Sequence, residues 1–191
     1  MSTSKKAFIL KMVLAGDGAV GKTSLRIRYL GHGFQSQYIQ TIGADFAVKT
    51  DVINGKKVNY AIWDLAGQQH FESVRSAYYM GTLGALLVFD VTRRGSFENL
   101  NSWIHEIWKH NGKGVIPIVI LGNKHDLRPD IVHCIDEEEA QKYCEELSKK
   151  TKGKGFDIKY LNTSAKTGLN VTEAFHALWD AFYGTLKGKH T

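Results

Sequence analysis

Residues 16–24, "GDGAVGKTS", hold three glycines, a lysine and two hydroxyls between an apolar run, "FILKMVLA" (8–15), and a helical stretch, "LRIRYL" (25–30). The segment reads either as a tight turn that happens to carry a lysine or as a cradle for a phosphate. The order G-x-x-x-x-G-K-[ST], placed between a strand and a helix, favours the cradle. Gly16, Gly18 and Gly21 let the backbone curl so that the N–H groups of Asp17, Ala19, Val20 and their neighbours point at phosphate oxygens. The helix beginning near Gly21 adds the positive end of its dipole. Lys22 supplies a point charge, and Thr23 and Ser24 supply hydroxyls, Thr23 being suited to a Mg²⁺ ion. The loop does not name the base.

Outward from this loop, short apolar runs alternate with helical patterns. "GALLVFD" (84–90) is too short for a core helix and fits a fully buried strand. "VIPIVILGN" (115–123) reads as another, with Pro117 near its start. Asn54-Gly55 joins two strand-like runs and is a strong hairpin signal. Phe97, Leu100, Trp103, Ile104 and Ile107 fall on one helical face behind a Ser96 cap. Asp136 with Glu139 suggests a capping box. Asn170 with Glu173 opens a last helix whose apolar face is Ala174, Phe175, Leu178, Trp179 and Phe182. These aromatics are read as core. The alternation predicts one mostly parallel sheet with a single antiparallel edge strand, covered by helices on both faces.

Bulk properties narrow the function classes. A chain of 191 residues suits one domain with a full core. The expected organisation is a short N-terminal stretch (1–6), one globular domain (7–187) and a short tail (188–191). Cys134 and Cys144 have no metal spacing and form no disulfide framework, so a cytoplasmic setting is expected. No run approaches the length of a membrane span. The net charge of +6 is densest in "KKTKGKGFDIK" (149–159). That segment is read as a solvated loop, because no aromatic-interleaved basic strand accompanies it, and no nucleic-acid partner is expected.

A second cluster, "NKHD" (123–126), follows directly on the strand "IVILG". Residues at the end of a parallel strand face the crevice where ligands bind. The Asp126 carboxylate suits guanine, which offers a ring N–H and an amino group side by side. Against adenine it would be left unpaired, which is costly in a buried site. "TSAKTG" (163–168) forms a third element.

With these motifs in order, GDGAVGKT, the threonine of "QTIG", "WDLAGQ", "NKHD" and "SAK", the chain resembles a Ras-superfamily small GTPase, most like the Rab branch, over about residues 7–186. The resemblance implies the P-loop fold: six strands, about five helices, and GTP/GDP exchange with Mg²⁺. It implies that Asp126 reads guanine and Asn123 braces the base loop. Lys124 and Lys166 lie along the base, and Ser164 and the Ala165 N–H complete its loop. Phe34 covers the base and Tyr38 belongs to the same first switch. It implies Thr23 and Thr41 as Mg²⁺ ligands, Asp64 as a ligand through water, and the Gly67 N–H on the γ-phosphate. Gln68 falls where the family orients the attacking water, with Lys22, Thr41 and Gly67 completing the catalytic set. Gly18 leaves space for Gln68 and an incoming arginine. Loops at about 32–43 and 64–80 would report the γ-phosphate.

The chain departs from the family pattern in two places. Leu65 and Gln69-His70 stand where Rab proteins usually have threonine and glutamate-arginine, so the resemblance leaves the partner set of the second switch open. The prenylated cysteines typical of Rab tails are absent after Cys144, so no direct lipid anchor is expected and peripheral membrane association would need partners or a lipidated tail. Phe46, Trp63 and Tyr78 match an aromatic triad that such proteins show to effectors. The implied partners are an exchange factor, an activator and an effector, acting on a monomer. From His32 to Gly43 there is no arginine or lysine, so slow unaided hydrolysis is expected. Two rivals stay open: a guanine-nucleotide scaffold that does not cycle, and a P-loop ATPase or nucleotide kinase, which would need a lid insertion.

Overall fold

The computed structural model describes residues 7–34, 41–68, 72–131 and 133–187. Tyr38, Gln69, His70, the N-terminal stretch and the tail lie outside the described residues. Six strands form one sheet in the order β2-β3-β1-β4-β5-β6. They are β1 (Phe8–Ala15), β2 (Ala44–Ile53), β3 (Lys56–Leu65), β4 (Gly84–Asp90), β5 (Ile118–Asn123) and β6 (Lys159–Asn162). Only the β2–β3 pair is antiparallel. Its turn is Asn54-Gly55 with φ of 50° and 72°, the double positive φ that a two-residue hairpin of the right twist requires. Pro117 sits just before β5, where its carbonyl accepts from Ala85 N–H and no ladder donor is needed from its nitrogen.

Among the described residues six α-helices cover the sheet: α1 (Lys22–Tyr29), α2 (Glu72–Tyr79), α3 (Arg94–Glu98), α4 (Leu100–His110), α5 (Glu137–Lys150) and α6 (Val171–Lys187). Every residue of β4 and β5 is buried. Helices lie on both sides of these central strands, so they read as unbroken apolar runs without alternation. On one face Leu10, Met12, Leu14 and Val88 meet Leu25 and Tyr29 of α1 and Phe175 and Trp179 of α6. On the other, Val13, Ala15, Leu87 and Phe89 meet Tyr79, Trp103, Ile107 and Leu147 of α2, α4 and α5. Successive residues of β1 and β4 therefore serve opposite cores, as the two-residue period of a strand demands.

Two helix starts differ from the sequence reading. Ser96 does not cap a single helix over residues 97–107; it lies inside α3, and the helical path breaks at Asn99 before α4. Its buried Oγ instead accepts from Asp90 N–H (3.0 Å) and donates to the Arg93 carbonyl (2.7 Å), fastening the turn after β4. Asp136 caps α5 through Glu138 N–H, but Glu139 does not reach back to close a capping box. An opposite charge draws it away, in a two-pronged pair with Arg94. Asn170 precedes α6 with φ of 51°, and its side-chain amide bonds the Asn162 carbonyl at 2.8 Å. Asn170 thus opens α6 as expected, its carbonyl accepting from the Ala174 N–H at 3.0 Å while its side chain ties the helix start to β6.

The five parallel strands all end at the same edge of the sheet. The loops after β1, β3, β4, β5 and β6 gather there. Chemistry-bearing residues distant in sequence thus meet in one crevice.

Candidate nucleotide site

The crevice is a cleft of about 650 Å³ along the carboxyl ends of the strands. The phosphate loop contributes Gly18, Ala19, Gly21, Lys22, Thr23 and Ser24 to its walls. The two switch segments add Phe34, Thr41, Gly67 and Gln68, and the far end carries Asn123, Lys124, Asp126, Ala165 and Lys166. Of the remaining predicted residues, Gly16 and Asp17 accept from Lys22, Val20 accepts from Asn123, Ser164 donates to Asp126, and Asp64 lies 3.7 Å from Arg26, each thus touching a residue of the wall. The fold brings together every sequence-predicted site residue that is described.

The loop after β1 is bent by its own sequence. Gly21 has φ of 97°, and a Cβ there would lie 2.3 Å from Asn123 Nδ2, so only glycine allows the close approach. Ala19 adopts φ of 61° without that freedom, a local strain of the kind found where a loop is shaped for a ligand. Lys22, at the start of α1, donates to the Gly16 carbonyl (2.7 Å) and the Asp17 carbonyl (2.8 Å). Burial lowers its pKa to about 8, against the upward pull of the Asp64 and Asp17 carboxylates. At Gly18 an added Cβ would meet Gln68 Nε2 at 3.7 Å, ordinary contact, so Gln68 stands directly over this position. Gly67 packs on the Asp17–Gly18 peptide so closely that a Cβ would come within 2.4 Å of it.

At the other end, Asn123 is the joint between phosphate and base loops. Its Nδ2 donates to the Val20 carbonyl at 2.8 Å. Its Oδ1 accepts from Thr163 Oγ1 and from the Ala165 N–H, both at 3.3 Å. Asp126 Oδ1 accepts from Ser164 Oγ at 2.5 Å, and Lys166 Nζ stands 3.9 Å from Oδ2. Lys124 has φ of 65° and pairs with Asp90 at 2.6 Å. Burial would raise the Asp90 carboxyl, but Lys124 and Thr92 outweigh it and hold the group below the usual range.

Between the ends lies a set of hard oxygens. Thr23 and Thr41 hydroxyls are 2.9 Å apart. Asp64 is fully buried, and neither of its carboxylate oxygens has a hydrogen-bond partner. The nearest cation is Arg26 Nε at 3.7 Å. Burial pushes the Asp64 carboxyl up, while Thr23, Lys22 and Arg26 pull it back. Two hydroxyls and a carboxylate with free lone pairs fit Mg²⁺, which takes few protein ligands and completes its octahedron with water and phosphate. Among the described residues no cluster of three or more His, Cys, Asp or Glu side chains could hold a metal by itself, so the oxygen set is the candidate.

Several site supports escape sequence reading. Arg26, buried on α1, pairs with Asp45 near the start of β2 and so ties that strand to the helix after the glycine-rich loop. Buried Arg75 of α2 donates to the Gln68 carbonyl (2.6 Å) and the Ala66 carbonyl (3.2 Å). Its other edge forms a two-pronged pair with Glu106, at 2.9 and 3.0 Å. Arg93 donates to the Gly18 carbonyl at 2.6 Å. Trp103, counted as core, also donates from Nε1 to Asp17 Oδ1 at 2.9 Å. No spacing rule announces these contacts, because each joins residues brought close only by packing.

The pattern of the Ras family matches residues 11–183. The Ras-related protein Rab-13 of Bos taurus is 39% identical over 170 residues, covering 89% of this chain and 78% of the relative. The GTP-binding protein ypt2 of Schizosaccharomyces pombe is 38% identical over 178 residues, 93% and 83% of the two chains. The Ras-related protein Rab-8B of Homo sapiens is 39% identical over 171 residues, 90% and 77%. With the P-loop sheet order and a cleft whose two ends are joined by Asn123, these matches establish that the chain belongs to the Ras family, as a Rab-like small GTPase.

Proposed function

We propose that the chain is a GTP-binding molecular switch that hydrolyses GTP to GDP and phosphate, with the loops at about 32–43 and 64–80 reporting the γ-phosphate. The observation that carries this reading is the bridge through Asn123, which holds a phosphate loop and a guanine-suited carboxylate at opposite ends of one cleft. Asp126 accepts from the guanine ring N–H and amino group, with Lys124 and Lys166 along the base, Phe34 over it, and Ser164 and Ala165 behind it. Lys22 neutralises the β and γ phosphates. Thr23, Thr41 and, through water, Asp64 would hold Mg²⁺, which would supply charge neutralisation at those phosphates. The Gly67 N–H and Thr41 sense the γ-phosphate. Gln68 orients the water, and loss of the phosphate releases both loops.

Unaided hydrolysis is slow, on the order of 10⁻⁴ s⁻¹, because the first switch carries no arginine and the γ-phosphate charge waits for one from a partner. A single-turnover rate near 1 s⁻¹ for the isolated protein would overturn this and would turn attention to Arg93, the guanidinium already beside Gly18. Likeness to Rab-13, Rab-8B and ypt2 supports a role in vesicle or membrane trafficking, exerted by a cytoplasmic monomer through an exchange factor, an activator and an effector. Among the described residues no helix is long and apolar enough to cross a membrane.

The effector surface is the run of Phe46, Trp63 and Tyr78, whose rings stand in a row at 4.8 and 5.1 Å between centroids. Phe46 is 48% exposed, and rigid amphipathic rings of this kind anchor partners. Trp63→Ala should weaken capture of a GTP-dependent effector about tenfold or more with the fold intact, measured by binding to the GTP-loaded form; unchanged affinity refutes that surface. The reading as a whole is tested by denaturing the protein purified in Mg²⁺ buffer and identifying the released nucleotide. Near-stoichiometric GDP supports the switch, GTP supports a non-cycling scaffold, and adenine nucleotide refutes the role given to Asp126.

A further inference from the structure

Two parts of the site have separate jobs: the phosphate loop holds nucleotide, and the second switch places Gln68. They touch directly where Gly67 packs on the Asp17–Gly18 peptide. A second connection runs through the core. Arg75 fixes the second switch by donating to the Gln68 and Ala66 carbonyls. Its guanidinium lies 4.4 Å from the centre of the Trp103 ring. The edge of that ring donates Nε1–H to Asp17 Oδ1 at 2.9 Å, while Asn99 Nδ2 holds Asp17 Oδ2 at the same distance. Asp17 in turn offers its carbonyl to Lys22 Nζ at 2.8 Å.

We infer that Trp103 is a positioning residue that couples the second switch to nucleotide retention. Three physical features carry the inference. Trp103 is nearly fully buried, at 6% exposed, so it cannot move without moving its neighbours. Its two contacts are directional and of different kinds, a cation on the ring face and a charge-assisted hydrogen bond from the ring edge, so tilting the ring to follow Arg75 misaligns the bond to Asp17. Arg75 itself is gripped from the far side: Glu106 takes two of its N–H groups and is braced by the Tyr79 hydroxyl at 3.0 Å. A displacement of α2 is therefore passed to the ring and not absorbed by a free side chain. A partner that pulls on the second switch loosens Asp17, and with it Lys22, without touching the phosphate loop.

The inference rests on the reading of the chain as a guanine-nucleotide switch, and a contiguous set of contacts becomes coupling only when a thermodynamic cycle shows it. The test is the release rate of fluorescent GDP into excess unlabelled GDP, in Mg²⁺ buffer, for a cycle of variants. Trp103→Phe keeps an aromatic ring and removes the N–H; release should quicken about tenfold. Arg75→Lys keeps the charge and removes the fork; release should quicken about fivefold with Trp103 present and less than twofold in the Trp103→Phe background. Equal effects of Arg75→Lys in both backgrounds, or none in either, overturn the coupling, since a merely structural role would add. Should Trp103→Phe fail to fold, Asp17→Ala breaks the same contact from the loop side and is held to the same criterion. Failure of the unaltered protein to bind fluorescent GDP overturns the switch reading and this inference with it; binding whose release ignores Trp103 overturns the inference alone.

Discussion

The two ends of the cleft are built on opposite principles. At the base end, the reading side chains are already engaged with protein: Asn123 with Val20, Thr163 and Ala165, Asp126 with Ser164, and Lys124 with Asp90. At the phosphate end, both Asp64 oxygens, Gln68 Oε1 and Arg26 Nε are buried and make no hydrogen bond, Arg26 Nε facing Asp64 at 3.7 Å as an ion pair. Beside the base loop, His125 Nδ1 and Arg128 Nε also make none, but both face Glu137 and neither belongs to the reading side chains. Unpaired buried polar groups are rare and costly, and where they occur they mark a place completed by something else. The difference teaches how one domain can combine fixed specificity with a movable output. Under the proposed function, the base end is organised by contacts within the protein, so its choice would not depend on the switch state. The other end, on the same proposal, would be completed by nucleotide and metal, and its geometry would follow them.

The strongest way to break this comparison is at Asp126. Replacing it with alanine should cost about a thousandfold or more in GDP affinity, because two charge-assisted hydrogen bonds are lost together while the fold persists; calorimetric titration measures it. A loss of tenfold or less would mean that the carboxylate does not read the base. Next is Gln68→Ala, expected to slow single-turnover GTP hydrolysis by roughly 100-fold, the low end of the range for a side chain that acts on a reacting group, with GTP affinity nearly unchanged. A parallel loss of affinity would place Gln68 in binding and not in the reaction.

A smaller effect should come from Asp90→Asn. It removes one partner of a mostly buried ion pair and should destabilise by about 1–2 kcal/mol, below the full cost of breaking a buried pair because Lys124 is one-third exposed on its side chain. The sign with pH follows from the lowered Asp90 carboxyl. That stabilisation is present above the ordinary aspartate range and lost as pH falls through the lowered folded value, so melting curves of the two proteins should converge in acid. Smallest of all is the contrast between the cysteines. Burial pushes the Cys144 thiol up to about 12, so native protein at pH 8 should leave it unalkylated by iodoacetamide, with Cys134 modified first. Equal rates would show that α5 opens on the timescale of the reaction.

Much of the molecule was legible in the chain. The strands, the antiparallel hairpin at Asn54-Gly55, the phosphate loop and the guanine-suited Asp126 follow from local patterns, because each depends on neighbours within a few residues or on a motif whose spacing is itself the chemistry. The capping errors at Ser96 and Glu139 share a cause. In each, a side chain able to serve its own helix found a partner elsewhere: Ser96 the Asp90 and Arg93 backbone, Glu139 the charge of Arg94.

By itself, then, the sequence pointed to the family, to a mostly parallel sheet with one antiparallel edge and to the residues proposed to touch nucleotide, since these are written in contiguous stretches. Only the tertiary structure decided what holds those residues in place. Arg75 meets Glu106 across 31 positions, and Trp103 meets Asp17 across 86. Packing along two faces of one sheet creates such pairs, and a ring that looks like core in a helical pattern shows its hydrogen bond only when the loop it faces has been folded against it.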